Sequence, residues 1–169
     1  ATLGGIRTSF VFSALAAAAA CVIAVVACNH IFKRRKTGVL LEYSLLFPWL
    51  LPTILICYSY RSFFNNENVW YVLNTNLYYA ENVRFLIIMA YTVVKLPFAL
   101  RMIKAAFYAI DEELDDAARA LGASGLYSFL RVKLPIVLPS VLAVFALNFN
   151  ALFTEYDMSA AFASTYGTT

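Results

Sequence analysis

The sequence predicts an all-α fold, a polytopic bundle of transmembrane helices. The 169-residue chain is 62% hydrophobic and only 14% charged, whereas an ordinary soluble domain is about half apolar and about a quarter charged. Its apolar residues also fall in runs of the length that a helix needs to cross the hydrocarbon core, which is about 20 residues. Because a core of this size cannot hide so much apolar surface, the membrane is the expected solvent.

Four runs are expected to span the membrane, at about residues 10–32, 39–60, 85–103 and 136–153. The first contains no charged residue and carries five consecutive alanines, which let another helix backbone approach closely. The second contains Pro48 and Pro52, and each tends to kink a helix because proline lacks a backbone donor. We expect residues 1–169 to form one transmembrane domain that is a fragment of a longer protein.

The basic residues predict the orientation of the spans. The sequence KRRK at residues 33–36 follows the first span, and connections rich in Lys and Arg stay in the cytoplasm. Four alternating spans then place the N-terminus and residues 61–84 outside, and residues 104–135 in the cytoplasm. The basic residues of this second inner connection agree with that placement: Lys104, Arg119, Arg131 and Lys133.

The cytoplasmic connection predicts a helix, a glycine turn and a second helix. Asp111 can cap the first helix by accepting hydrogen bonds from free backbone N–H groups. Gly122 can adopt the left-handed conformation that closes a helix. Ser124 can cap the second helix, which runs to Pro135 as the chain re-enters the membrane. By composition alone, this connection is either a solvated loop or a docking surface for a partner.

The spacing of residues in this connection is specific. Asp-Ala-Ala is followed after three residues by Gly and, after nine more, by Val, one residue and Leu-Pro, at positions Asp116, Ala117, Ala118, Gly122, Val132, Leu134 and Pro135. This spacing resembles the cytoplasmic signature of the membrane-spanning permeases of binding-protein-dependent ABC importers of the type I class. The family signature has Glu and Ile where this chain has Asp116 and Val132, and both differences are conservative.

The resemblance implies a permease that is not itself an enzyme. The helix from Asp111 to Leu121 would be a coupling helix seated in a groove of a separate cytoplasmic ATPase subunit, which would hold ATP and Mg; no cofactor is expected on this chain. The residues expected to dock on that ATPase are Asp115, Asp116, Ala117, Ala118, Arg119 and Gly122.

The resemblance also implies the setting of the chain. A second permease half or a second copy of the chain would complete the pathway, and an extracytoplasmic substrate-binding protein would deliver the solute. The location would be the inner or plasma membrane of a prokaryote. Permeases of this family have one more helix after the fourth span, and this chain lacks it, which supports the expectation of a fragment.

Two further stretches, VVKLPFALR at 93–101 and NFNALFTEYDMSAAF at 148–162, resemble ferric-iron-type permeases and their polyamine and phosphonate relatives. Ferric iron is therefore the expected cargo, with a polyamine or a phosphonate as alternatives. Acids within a membrane protein are candidates for an ion pathway. The candidate pathway residues are Lys95, Asn148, Asn150, Glu155 and Asp157.

These polar residues also have ordinary interpretations. Glu155 and Asp157 would lie in water at a helix end, while the two asparagines would bond to neighbouring helices. Lys95 would extend to the interface or pair with an acid. Both interpretations stay open at this point.

Other classes of protein receive less support. Cys21, Cys28 and Cys57 lie in apolar runs, where cysteine packs as a small hydrophobe, and His30 alone cannot build a metal site. A channel or membrane enzyme would need intramembrane acids, histidines or a catalytic motif, and the spans are nearly free of them. A nucleic-acid partner is not expected, because topology explains the KRRK sequence. A membrane assembly protein that recruits a cytoplasmic partner without transport stays open.

Overall fold

A computed structural model describes residues 2–33, 35–64 and 80–155. In these ranges the regular structure is helical and contains no strand, which confirms the predicted all-α fold. A 3-10 turn at Phe47–Leu50 follows the helix Arg35–Leu46, and a π-helical turn at Phe129–Lys133 joins the helix Gly125–Ser128 to the helix Leu134–Phe153. The α-helices are α1 Thr2–Lys33, α2 Arg35–Leu46, α3 Thr53–Phe64, α4 Ala80–Tyr108, α5 Glu112–Ala120, α6 Gly125–Ser128 and α7 Leu134–Phe153.

Two helical stretches of the described chain are long and apolar enough to cross a membrane, Ile6–Phe32 and Gly125–Phe153. They contain the predicted spans 10–32 and 136–153. The predicted span 85–103 lies within α4, whose 29 residues extend about 43 Å at about 1.5 Å per residue. Its sequence is interrupted by four basic residues, Arg84, Lys95, Arg101 and Lys104. The four-span arrangement therefore stays a prediction.

The predicted span 39–60 is divided into two helices at its prolines. Pro48 lies in the 3-10 turn and Pro52 directly precedes α3, where the Leu55 N–H donates to the Pro52 carbonyl at 2.9 Å. Because proline cannot donate to the helical ladder, the α-helix is not continued across this segment. α2 and α3 have 12 residues each, which is about 18 Å and less than the hydrocarbon thickness of about 30 Å. Only the two helices together could cross the membrane.

Helices α1, α4 and α7 pack against one another and form the core. α1 contributes a face of small side chains, of which Ala16, Ala17 and Ala20 are fully buried. α4 places larger side chains against this face, including Leu100 and Ile103. Close van der Waals contact holds helices together in lipid, because lipid tails are as apolar as leucine. The close approach predicted from the alanine run is confirmed.

The cysteines of α1 belong to the same packed face. Cys21 and Cys28 are both buried, as expected for cysteines that pack as small hydrophobes. The Cys28 sulfur lies 3.8 Å from the carbonyl oxygen of Leu100 on α4, and the Cys21 sulfur lies 4.0 Å from that of Val141 on α7. Each thiol therefore packs against a neighbouring helix backbone. The side chain of Cys57 lies outside the described part of the structure.

An ion pair joins α2 to α4. Lys104 Nζ donates to Glu42 Oε1 at 2.5 Å, with the two side chains 20% and 22% exposed. Lys104 lies just beyond the predicted span 85–103. Partial burial alone would lower the pKa of Lys104, but the hydrogen bond and the negative charge of Glu42 outweigh it and raise that pKa. The ammonium group is therefore charged at neutral pH, and it fixes the position of α2 beside α4.

Gly38 allows α2 to approach the end of α1. A Cβ atom added at Gly38 would lie 2.9 Å from the Cα atom and 3.0 Å from the carbonyl oxygen of Ile31. These contacts are with backbone, which cannot swing away as a flexible side chain could. Glycine is therefore required at this position for steric reasons and not for its backbone angles.

We expect Gly38→Ala to destabilise the protein by about 1–3 kcal/mol, the usual cost of overpacking. The measurement is the apparent melting temperature of the full chain in detergent. Thr37→Ala is the matched control, because Thr37 is the exposed neighbour in the same helix and should melt near the wild-type temperature. Equal melting temperatures for Gly38→Ala and wild type would show that the contact with Ile31 is not tight.

Candidate functional site

Helix α5 begins at a capping aspartate. Asp111 has an extended backbone, with φ −66° and ψ 127°, and its carboxylate accepts a hydrogen bond from the Glu113 N–H at 3.2 Å. Its carbonyl accepts from the Leu114 N–H, also at 3.2 Å. The negative charge of Asp111 also lies at the positive end of the helix dipole. The predicted cap is confirmed.

Helix α5 ends in a glycine turn. Gly122 has φ +85°, the left-handed region, and its N–H donates to the Arg119 carbonyl at 2.9 Å. The Ala123 N–H donates to the Ala118 carbonyl at 3.0 Å. These two bonds form a Schellman motif, which satisfies the last carbonyls of a helix and stops it. The predicted glycine turn is confirmed, and both ends of α5 are fixed by local hydrogen bonds.

The second helix of the segment continues into α7. The Ser124 hydroxyl oxygen accepts from the Tyr127 N–H at 3.3 Å, which confirms the predicted cap of α6. After one turn the chain enters the π-helical turn, where the Leu134 N–H donates to the Phe129 carbonyl. Val132 lies in this turn, and Leu134 and Pro135 are the first residues of α7. The second half of the signature is therefore the junction between α6 and α7.

We call residues 111–135 the coupling segment. Its α5 packs back onto α6 and the π-helical turn. The side chain of Asp115 lies outside the described part of the structure. Ala118 is half-buried, and the other predicted docking residues are exposed: Asp116, Ala117, Arg119 and Gly122.

The coupling segment also exposes large apolar side chains. Leu121 is 90% exposed, Leu126 67% and Tyr127 58%. Two short capped helices that carry charges and unburied leucines are poor candidates for a lipid-facing surface, because the acids of α5 would be costly in hydrocarbon. Exposed large apolar side chains in a charged segment are instead compatible with a protein-docking surface. Sequence analysis did not include Leu121 or Leu126 among the docking residues.

The candidate pathway residues differ in their burial. Lys95 is half-buried on α4, Asn150 is exposed on α7, and Glu155 is half-buried after the end of α7. Within the described residues, no hydrogen bond or ion pair links Lys95, Asn148 and Asn150 to one another. Asp157 lies outside the described residues, so its prediction is not tested.

Asn148 differs from the other candidates because it is buried. It is 2% exposed, and its Nδ2 atom has no hydrogen-bond acceptor in the described part of the chain. It lies on α7 between Val144 and Leu152, which belong to the two clusters of buried apolar residues. A buried amide without a partner costs about 1–3 kcal/mol. Asn148 therefore does not form the bond to a neighbouring helix that its ordinary interpretation required.

These observations define the class of the protein: in its described part it is an α-helical protein with two stretches long and apolar enough to cross a membrane and an exposed, capped helix–turn–helix segment. Comparison with known proteins then gives the family. The sequence profile of the binding-protein-dependent transport system inner membrane component family matches residues 17–168, and the chain belongs to that family. The resemblance found in the coupling segment is thereby confirmed, and the family consists of permease components and not of enzymes.

The names of individual relatives indicate several different substrates. A probable ABC transporter permease of Sinorhizobium fredii is 37% identical over 71% of this chain and 20% of its own length. A probable sulfate transport system permease of Prototheca wickerhamii is 27% identical over 74% and 48%. An Fe(3+)-transport system permease of Haemophilus influenzae is 32% identical over 47% and 16%. The chain thus spans less than half the length of each of these relatives.

We expect Asp111→Ala to weaken the first turn of α5 by about 1 kcal/mol, the usual cost of losing an N-cap. Amide hydrogen exchange at the start of α5 should become about fivefold faster. A free-energy change of about 1.4 kcal/mol alters an equilibrium constant about tenfold, so a loss of about 1 kcal/mol alters the opening equilibrium about fivefold. Asp111→Ser keeps a capping oxygen and should exchange nearly as slowly as wild type. Asp116→Ala removes an exposed carboxylate within the helix and is the control. Equal acceleration in Asp111→Ala and Asp116→Ala would contradict the capping role.

Proposed function

We propose that this chain is the membrane-spanning permease of an ATP-binding-cassette importer, driven by a separate ATPase that docks on the coupling segment. The observation that carries the proposal is the exposure of the signature. Asp116, Ala117 and Gly122 lie on a helix and turn that are closed by their own hydrogen bonds, so their exposure does not result from a missing helix partner. The exposed signature is therefore a surface that a second protein would cover.

The geometry supports a specific division of roles within this surface. The small side chain of Ala117 would let a groove of the ATPase approach the helix backbone closely. Leu121 and Leu126 would supply apolar contact area, since exposed leucines gain most from burial in a partner. Asp116 and Arg119 would set the orientation of docking through charge, which contributes more to specificity than to affinity.

The path from the docking surface to the membrane is short. α5 packs on α6 and on the π-helical turn, and the π-helical turn leads directly into α7. α7 in turn packs against α1 and α4 in the bundle core. A displacement of α5 by the ATPase would therefore reach the core through two packed contacts, which is how hydrolysis of ATP with Mg on the partner would change the access of the pathway.

The remaining partners follow from the proposed class. A second permease half or a second copy of this chain would complete the pathway, and an extracytoplasmic binding protein would deliver the solute. The KRRK sequence supports the orientation in which residues 104–135 face the cytoplasm of a prokaryotic cell, with the N-terminus and residues 61–84 on the other side.

The proposed cargo is ferric iron. The name of the Haemophilus influenzae relative and the acids Glu155 and Asp157 support it, because hard cations prefer oxygen ligands. A polyamine would use the same acids. The second candidate is an oxyanion, favoured by the sulfate permease of Prototheca wickerhamii; a phosphonate would belong to the same chemical class. An oxyanion would be repelled by the same carboxylates, so the two classes predict opposite effects of removing them.

Ala117→Trp tests the docking surface. We expect it to weaken binding of the partner ATPase by about tenfold to a hundredfold, because a misfit in a packed contact costs about 1–3 kcal/mol. The measurement is the affinity of the purified chain for the ATPase encoded beside it. Ala146→Trp makes the same substitution at an exposed alanine of α7 and should bind normally. Wild-type affinity in Ala117→Trp would overturn the docking proposal.

Gly122 is a poorer position for this experiment. Any side chain other than Asn or Asp strains the backbone at φ +85°, although the space around its Cβ position is open. A bulky substitution would therefore mix strain with steric hindrance. The pair Gly122→Asn and Gly122→Val separates them, because only the β-branched side chain opposes the left-handed conformation.

A combined Glu155→Gln and Asp157→Asn variant tests the cargo class. If the cargo is ferric iron or a polyamine, uptake should fall at least tenfold, since two carboxylate ligands are lost. If the cargo is an oxyanion, uptake should be unchanged or faster. The measurement is uptake into vesicles that contain the assembled complex, with ferric iron, spermidine, sulfate and phosphonate supplied in parallel. Unchanged uptake of ferric iron or spermidine would contradict the cation proposal.

The non-transport alternative has its own outcome. A membrane assembly protein would also bind a cytoplasmic partner, so binding alone does not separate the two functions. Only an importer couples a solute outside to ATP hydrolysis inside. ATPase turnover that no tested solute and binding protein stimulates, in a complex that still assembles, would favour the assembly protein.

A further inference from the structure

One arginine on the surface of the bundle lies against a tryptophan ring. The Arg101 guanidinium carbon of α4 is 4.6 Å from the centroid of the Trp49 ring, in the 3-10 turn after α2. Both side chains are exposed, Trp49 by 55%. This contact is a cation–π interaction, which holds the guanidinium plane without using its hydrogen-bond donors.

The donors of Arg101 have no acceptor in the described structure. The carboxylate of Glu42 bonds Lys104, one turn along α4 from Arg101. No described carboxylate forms an ion pair with Arg101. The five N–H groups of a guanidinium lie in a rigid fork that matches carboxylate or phosphate. Arg101 therefore presents a positioned, positively charged fork to whatever covers this face.

Large apolar or aromatic side chains that are near Trp49 or Arg101 in the sequence are exposed. Their exposure ranges from 45% to 79%: Tyr43, Phe47, Leu50 and Met102. Such side chains suit contact with lipid acyl chains. Arg101 is seven residues, about 10 Å, from the end of α4, and tryptophan prefers the headgroup level of the bilayer. A bilayer that placed Trp49 at this level would bring the fork close to the lipid phosphates.

We propose that Arg101 and Trp49 form a binding site for the phosphate of an anionic phospholipid. The guanidinium would donate to phosphate oxygens, while the Trp49 ring holds it in place and contacts the glycerol and upper acyl chain. Glu42 pairs with Lys104 and forms no ion pair with Arg101 in the described structure, so the guanidinium charge stays available to a phosphate. Basic pockets between helices at the membrane surface commonly bind anionic headgroups.

The site fits a lipid better than the transported solute. The exposed side chains near Trp49 and Arg101 in the sequence include leucines and phenylalanine, whereas a charged solute needs a polar path. Bound lipid would also link α4 to the turn after α2, where the chain is broken at Pro48 and Pro52 and local helix contacts are few. The expected consequence is stabilisation of this broken segment by anionic lipid.

The test uses the full chain in nanodiscs of phosphatidylcholine, with or without phosphatidylglycerol. For wild type we expect phosphatidylglycerol to raise the apparent melting temperature and to remain bound in native mass spectrometry. Arg101→Gln should bind phosphatidylglycerol about tenfold more weakly, as expected for loss of a charge-assisted hydrogen bond. Arg101→Lys should bind with intermediate affinity because it keeps the charge without the fork. Trp49→Leu should weaken binding and Trp49→Phe should largely preserve it.

Three results would overturn the proposal. Arg131→Gln removes another exposed cation, and an equal loss of lipid binding in this control would indicate general attraction to an anionic surface. Full binding of phosphatidylglycerol by Arg101→Gln would show that the guanidinium does not hold the lipid phosphate. An Arg101-dependent shift of equal size with free sulfate in detergent, without lipid, would assign the fork to a soluble oxyanion. Because Arg101→Lys keeps charge and ring contact, it remains informative even if Arg101→Gln does not fold.

Discussion

The distance between helix backbones in the core is the constraint on which the rest of the structure depends. Two helices in lipid gain little from hiding apolar side chains, so their contact must come from close packing. α1 meets this requirement with alanines and two cysteines on one face, against which α4 and α7 place their larger side chains. With these three helices in contact, Gly38 brings α2 close to α1, and the pair Glu42–Lys104 fixes α2 beside α4.

Features that depend on neighbouring residues could be predicted from the sequence. The caps at Asp111 and Ser124 and the turn at Gly122 follow from short-range chemistry, and the structure confirms all three. The fold class could also be predicted, because composition and the length of the apolar runs can be taken directly from the sequence. Contacts between distant segments left no such signal: Glu42 and Lys104 are 62 residues apart, and only the packing of α2 beside α4 brings them together.

The candidate pathway residues show a different limit of sequence analysis. Asn148 and Asn150 were grouped because both are asparagines near one helix end. Residues two apart on a helix point in nearly opposite directions, and the structure buries Asn148 while it exposes Asn150. Residue type and sequence position alone therefore did not predict which of the two asparagines is buried, and their role in a pathway stays a prediction. The signature was more informative because its spacing is fixed, and the family that it indicated is confirmed.

The π-helical turn at Phe129–Lys133 gives the junction a property that an ordinary α-helix would lack. A wide turn contains one residue more than the α-helical ladder requires, and each residue of an α-helix corresponds to about 100° of rotation. Tightening this turn to α-helical geometry would therefore rotate the segment before it relative to α7 by up to that angle, with little lengthening. At this junction, a displacement of the coupling segment would thus be converted into a rotation relative to α7.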